Sequence, residues 1–386
     1  MNVFFDIHHR SLNKHGEELC GDHVKIVRSP DKIRIVLSDG LGSGVKANIL
    51  ATLTSEIIAT MLREGIALED VLETIIGTLP ICQVRQIAYA TFTIIEIDRK
   101  SLAFTVMNFD NPPLFFFRRG EIVNLEKRTE QILGRDIAIW DGVMERGDFV
   151  AMISDGVWYA GLGRTYNFGW GWEQIAAFMS RLLQQPTATA QTVVDGIIRQ
   201  TTHLYEGEPG DDATLVGLYL RRSKSAIVFT GPPVDKAHDR ACVDRVMQFE
   251  GRKIICGGTT GNLVARQLGA EIDTVVDSMR KDIPPIAVCP GVDLMTEGIL
   301  TLAKATEILA RADGDLNALP EDPNGAVLLA LELLVADEIR FLVGRQINPF
   351  YQNPLLPSSV SIRVNLIDKL ANLLRSFQKE VIIEYC

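Results

Sequence analysis

Ile33-Arg34-Ile35-Val36-Leu37-Ser38-Asp39-Gly40-Leu41-Gly42-Ser43-Gly44 reads as an apolar strand running into Ser-Asp-Gly, a glycine loop and the start of a helix. Far downstream, Phe149-Val150-Ala151-Met152-Ile153-Ser154-Asp155-Gly156 repeats the transition. A carboxylate at such a strand end is held by a rigid sheet and stands beside a flexible residue. Gly21-Asp22 and Gly210-Asp211-Asp212-Ala213-Thr214 place further aspartates at the edges of two other strands. Any one Asp-Gly is ordinarily a turn. The set says more, because several carboxylates meeting at one point repel strongly without a cation. Carboxylate, carbonyl and water oxygens suit hard ions such as Mg²⁺ and Mn²⁺.

Working outward, residues 3–8 and 24–28 alternate like half-buried strands, and 33–37 follow after a Ser29-Pro30-Asp31 turn. Ile49, Leu53, Ile57 and Met61, then Leu68, Leu72 and Ile76, recur at helical spacing and predict helices over 45–63 and 68–79. Residues 88–98, 102–108 and 114–118 form a strand meander, and 149–154 a buried strand. Helices over 172–184 and 190–205 precede a last strand over 213–220. Strands grouped around helical pairs predict an α+β sandwich. The polar segment Arg221–Ser225 is the expected boundary, giving domains 1–222 and 223–386. Beyond it, short strands over 226–230, 253–256, 274–276 and 286–289 alternate with helices, as in a smaller α/β domain with a partly parallel sheet.

Composition narrows the function. The 386 residues are 47% apolar and 23% charged, enough for two cores, and the net charge of −10 argues against nucleic acid as a partner. Cys20, Cys82, Cys242, Cys256, Cys289 and Cys386 are scattered with no CxxC pair, as expected in a reducing cytoplasm. The N-terminus has no leader pattern and apolar runs such as 325–336 are too short to span a bilayer, so no membrane is expected.

The order and spacing of these motifs resemble the metal-dependent protein phosphatases of the 2C class, in particular the bacterial branch typified by the stage II sporulation protein E phosphatase domain. The resemblance covers about residues 10–221 and includes Gly21-Asp22, Ser38–Gly44, Asn111-Pro112-Pro113-Leu114, Gly147-Asp148-Phe149, Ser154-Asp155-Gly156 and Asp211–Thr214. It implies an α-β-β-α sandwich and two divalent cations, Mn²⁺ or Mg²⁺. By the same resemblance Asp39 bridges the ions, the Gly40 carbonyl binds one, Asp155 and Asp211 hold the other, and Asp22 acts directly or through water. Asp212 takes an outer place, although only register separates it from Asp211. The implied reaction is attack of a metal-activated water on phosphoserine or phosphothreonine of a bacterial regulator, such as an anti-sigma-factor antagonist, with no phosphorylated side chain. Helices 45–63 and 68–79 resemble a switch answering to a neighbouring domain. Arg10 is a candidate phosphate-holding group. His8, His9, His15 and His23 read as hydrogen-bonded surface groups, with a general acid among them as the alternative. The glycine- and aromatic-rich stretch 158–172 reads either as a flap over the site or as a packed loop.

The second domain matches no family. Lys253–Cys256 leads into Gly257-Gly258-Thr259-Thr260-Gly261 and a helix, a loop able to cradle a small anionic ligand or merely to make a tight connection. It lacks the Gly-Lys-Ser/Thr ending of a phosphate-binding P-loop. Loops 230–233 and 290–293 are expected along the same sheet edge. This domain is read as sensory or regulatory, and a homodimer is compatible with the sequence. The competing reading is a non-catalytic nucleotide- or metabolite-binding regulator that keeps the phosphatase fold as a scaffold.

Overall fold

Period-two alternation, continued through most strands of the first half, dictates a layered structure with apolar side chains on both faces of each sheet. The computed structural model describes residues 3–78, 90–346 and 359–386. They divide into two compact units, Met1–Arg222 and Ser223–Cys386.

In the first unit the elements run β1 (Val3–Leu12), β2 (Asp22–Arg28), β3 (Lys32–Gly40), α1 (Gly44–Arg63), α2 (Leu68–Thr78), β4 (Ala90–Asp98), β5 (Ala103–Phe109), β6 (Phe115–Arg118) and β7 (Glu121–Ile122). They continue with β8 (Lys127–Ile132), β9 (Arg135–Val143), β10 (Asp148–Ile153), α3 (Asp155–Trp158), α4 (Trp172–Leu183), α5 (Ala190–Leu204) and β11 (Ala213–Arg222). Two antiparallel sheets result, ordered β1-β11-β10-β6-β7 and β2-β3-β4-β5-β9-β8. Leu79, Cys82 and the first residues of the strand expected over 88–98 lie outside the described residues.

Alternation assigns each side chain to a layer. Ile33, Ile35 and Leu37 of β3 meet Phe116, Val150, Met152, Val216 and Leu218 of the other sheet. Val36, Phe92, Ile94 and Met107 point the opposite way, onto Ile58 and Leu62 of α1 and Leu72 and Ile75 of α2. Phe115, Phe117, Phe149 and Ile153 turn outward from the five-stranded sheet onto Ile175, Met179, Val193 and Ile197 of α4 and α5. The result is the expected α-β-β-α sandwich. Each fully buried Phe or Ile contributes about 1.5–3 kcal/mol of transfer free energy.

Among the described residues α1 is the one helix long and apolar enough to cross a bilayer by composition. Here Ala47, Ala51, Ile58 and Leu62 are buried on its inner side. Asp148 of the Gly-Asp motif is structural: it is fully buried and receives two hydrogen bonds from Arg118, at 3.1 and 2.9 Å, and one from the Glu145 N–H.

Two departures from the sequence reading have local causes. Strand β8, Lys-Arg-Thr-Glu-Gln-Ile, carries almost no apolar signal because it is an exposed sheet edge. It is closed onto β9 by Leu133 and Gly134, both at positive φ (50° and 77°), the mirror-image turn that matches strand twist. Asp155 opens the short helix α3, which the strand-then-glycine reading did not anticipate.

The second unit contains β12 (Ser225–Thr230), α6 (Asp239–Met247), β13 (Arg252–Cys256), α7 (Gly258–Leu268), β14 (Asp273–Val275), β15 (Ile286–Val288), β16 (Leu294–Thr296), α8 (Ile299–Ala312), α9 (Gly325–Val335), β17 (Glu338–Val343), α10 (Ser359–Ser376) and β18 (Glu380–Tyr385). Its sheet is ordered β14-β15-β16-β13-β12-β17-β18. From β16 to β18 every pairing is parallel, so the sheet is partly parallel and wound in both directions from β12. Helices α6 and α7 cover one face, and α8, α9 and α10 the other. Strands β16, β17 and β18 were missed by the sequence reading. The loop at 290–293 is also corrected. Strand β15 is antiparallel to β16, so Asp293 sits at the start of β13, where its N–H bonds the Lys253 carbonyl. That is the edge opposite Gly257.

Candidate active site

Register brings the first two aspartates together. Asp22 and Asp39 are direct partners across β2 and β3, and the Gly40 N–H bonds the Gly21 carbonyl at 3.1 Å. The other sheet brings the rest, since β10 ends at Asp155 and β11 begins just after Asp211 and Asp212. Ser154 ties the two sheets. Its hydroxyl donates to Asp22 Oδ2 at 2.7 Å and accepts from the Thr214 N–H at 2.8 Å. Asp39, Gly40, Asp155 and Asp211 line one open cleft of 710 Å³, with Lys14 and Asp110 at its walls.

Asp22 is not a wall of this cleft; it is buried, with Oδ1 lacking any hydrogen-bond partner. Asp212 is likewise buried behind the cleft. Its Oδ1 accepts from the Lys14 N–H at 3.0 Å while Oδ2 has no partner. Of the adjacent pair, therefore, Asp211 faces the cleft and Asp212 supports it.

Two glycines are required by close approach. A Cβ on Gly40 would stand 2.1 Å from the Ala47 carbonyl oxygen of α1, and one on Gly156 the same distance from the Asp212 carbonyl. Gly156 is further held by the buried Tyr205 hydroxyl, which donates to its carbonyl at 2.7 Å. Gly40→Ala must push α1 away from β3. It is expected to cost about 1–3 kcal/mol, read as a lowered urea midpoint with unchanged slope. A midpoint equal to wild type would contradict this packing.

The carboxylates strain one another. Burial, aided by the charges of Asp22, Asp155, Asp211 and Asp212, raises Asp39 to about 9. Burial also raises Asp22 to about 7, against the Ser154 hydrogen bond that opposes the shift. Asp155 rises to about 6 by burial and the Asp211 charge, and Asp211 is raised mainly by burial. Such a group of acids is electrostatically completed by positive charge. Among the described residues no three His, Cys, Asp or Glu side chains form a ready-made cage for one ion. Mg²⁺-like ions keep several waters and take only one or two carboxylates each. The all-oxygen donors and the unpartnered buried oxygens fit such cations.

Other expected residues fall elsewhere. Arg10 donates to Asp195 of α5 at 3.0 Å. His23 Nδ1 lies 2.6 Å from the Ser55 hydroxyl, and burial lowers the pKa of His8, His9 and His23. None of these, nor His15, lines the cleft. In the stretch 158–172, Trp170 is packed in the α4–α5 core while Phe168 is 85% exposed, and none of it reaches the cleft. Lys14 was missed because no local pattern marks it. Ser154 was quoted only as part of its motif, without a role.

In the second unit the loop 257–261 stands at the C-terminal edge of the parallel strands. The Gly258 N–H donates to Glu297 Oε2 at 3.3 Å, and the buried Thr260 hydroxyl accepts from the Gly231 N–H at 2.9 Å. An anion entering there would compete with the Glu297 carboxylate.

A family model described as Stage II sporulation protein E (SpoIIE) matches residues 29–221, half of the chain. Among solved structures the chain is similar to the PP2C phosphatase domain with a fragment of the regulatory domain of SpoIIE from Bacillus subtilis. That match has 20% identity, a TM-score of 0.49, and covers 57% of this chain and 64% of that one. The chain thus spans less than two thirds of that relative. It is also similar to the RsbU and RsbW domains of Rv1364c from Mycobacterium tuberculosis (16% identity, 70% and 71% covered, TM-score 0.46). A third is the SiaA-PP2C domain of Pseudomonas aeruginosa (16%, 55% and 84% covered, TM-score 0.43). No curated protein matches the chain significantly. The motifs at Asp39, Asp155 and Asp211 lie within the matched span, Gly21-Asp22 and strands β1 and β2 precede it, and the chain belongs to the stage II sporulation protein E family.

Proposed function

We propose that Met1–Arg222 is a metal-dependent protein serine/threonine phosphatase acting on a phosphorylated regulatory protein, of the anti-sigma-factor-antagonist type. The observation that carries this is the convergence of Asp39, Gly40, Asp155 and Asp211 from two sheets on one cleft. Asp39, the Gly40 carbonyl, Asp155 and Asp211 would hold two Mn²⁺ or Mg²⁺ ions, with Asp22 behind them. Bound there, the ions supply an activated water and neutralise charge on the phosphoryl oxygens. The chain itself supplies position. Ser154 holds Asp22 in one orientation, and Tyr205 holds the backbone beside Asp155. The Lys14 ammonium, 3.9 Å from Asp211, offers a cation to the substrate phosphate at the cleft wall.

For Ser223–Cys386 we infer a regulatory or ligand-binding role. Its support is the reversal of winding between β12 and β17, the place where open α/β sheets commonly bind ligands.

The test is hydrolysis of para-nitrophenyl phosphate and a phosphoserine peptide by metal-stripped protein. Turnover is expected to appear with Mn²⁺ or Mg²⁺ and vanish with chelator. No turnover with either ion, or turnover that persists in chelator, would remove the proposal.

A further inference from the structure

A second cavity, of 460 Å³, adjoins the cleft, and Asp110 and Asn111 line both. Its origin lies in the strand pattern. Inner strands of the six-stranded sheet fill the space between sheets with Phe104 and Val106. At the edge, β8 presents Lys127 and Thr129 directly opposite Trp140 and Ala138 of β9. Both β8 residues are exposed, so the apolar filling stops one strand short of the edge. Trp140 and Phe116 are left facing an opening.

The walls are rigid. Trp172 stacks on Phe115 with ring centroids 5.2 Å apart and planes 8° from parallel, and its indole N–H donates to the Leu114 carbonyl at 3.3 Å. The divider between cavity and cleft is pinned by Asn108, whose amide donates to the Asn111 and Pro112 carbonyls at 3.0 and 2.9 Å and whose oxygen accepts from the Asn111 N–H. Preformed aromatic pockets of this size take a bulky side chain without an ordering cost. The lining carries Lys127 together with Asp110 and Asp136, and the aromatic wall of Phe116, Trp140 and Trp172 supplies the apolar contact for an occupant.

Resting on the phosphatase reading, we infer that this cavity is a specificity pocket for a large apolar side chain of the phosphoprotein substrate, close in sequence to the phosphorylated residue. An aryl phosphate reaches only the aspartate cleft, whereas a phosphopeptide engages both.

The test uses the full chain with Mn²⁺, para-nitrophenyl phosphate, and nine-residue phosphoserine peptides in an alanine background. A single Phe is scanned from four residues before to four after the phosphoserine. One register, or two adjacent ones, is expected to raise kcat/KM about tenfold or more over the all-alanine peptide. Thr129→Trp, on the exposed edge and no threat to folding, and Ala138→Phe are each expected to erase that gain. Both should leave aryl phosphate turnover within about twofold of wild type. A flat scan, or a preferred register that survives Thr129→Trp, overturns the pocket while turnover of the aryl phosphate and the all-alanine peptide leaves the phosphatase reading standing. Absence of turnover on every substrate removes the phosphatase reading and the pocket with it.

Discussion

Asp39→Asn is expected to lower Mn²⁺-dependent phosphate ester hydrolysis by about 10³-fold or more while raising the thermal stability of the metal-stripped protein. The two effects have one cause. Asp39 lies opposite Asp22 in the β2–β3 register and shares its cleft with Asp155 and Asp211. Its charge is the one most opposed by its surroundings. Asparagine keeps the shape and removes the charge, so the remaining carboxylates repel less and the empty fold gains. The same change replaces one carboxylate oxygen by an amide nitrogen and removes the negative charge with which Asp39 would hold the proposed cations. Losing even outer partners of a metal site costs 10–100-fold, and a direct charged ligand costs more. Initial rates with saturating Mn²⁺ and melts in chelator measure the two sides. Wild-type activity in the variant would overturn the assignment of Asp39. A lower chelator melting temperature would overturn the repulsion argument.

The second large effect is a pH-dependent stability that a cation reverses. With Asp22 at about 7, Asp39 at about 9 and Asp155 at about 6, the folded protein holds protons that the unfolded chain, with ordinary aspartates, has released. Where the folded state binds more protons, stability falls as pH rises. On this account the metal-free protein should be most stable below about pH 4, where these groups are protonated in both states, and lose stability progressively up to about pH 9. Divalent cations bind the ionised form, so the rise in Tm on adding Mn²⁺ should be larger at pH 8 than at pH 6. Mn²⁺ at about 100 times its Kd adds roughly 2.7 kcal/mol, or about 5–10 °C for a unit of this size. All four tryptophans lie in the first unit, so their fluorescence reports its melting separately. A Mn²⁺ shift equal at both pH values would contradict the proposed linkage.

Much of the fold was legible because its signals are local. Strand β3 could be read from apolar residues at odd and even positions alike, which requires cover on both faces, as does β10. The aspartates announced themselves by following such strands. What escaped was whatever depends on partners distant in sequence. Strand β8 looks like polar loop because its side chains face solvent at an edge, and β16 to β18 are short or flanked by helices that mask their period. The loop at 290–293 was assigned to the wrong sheet edge because a sequence does not reveal that β15 runs antiparallel to its neighbour.

The amino-acid sequence by itself determined the layers and the motif aspartates, since alternation and strand-end chemistry depend only on neighbours along the chain. Tertiary structure decided which of those aspartates face the cleft. Asp211 lines it, Asp212 and Asp22 lie behind it, and Lys14 enters from a segment with no motif. The physical reason is that exposure and charge coupling are set by cross-sheet register and by which backbone approaches which glycine, and these distances exist only once the two sheets have closed on each other.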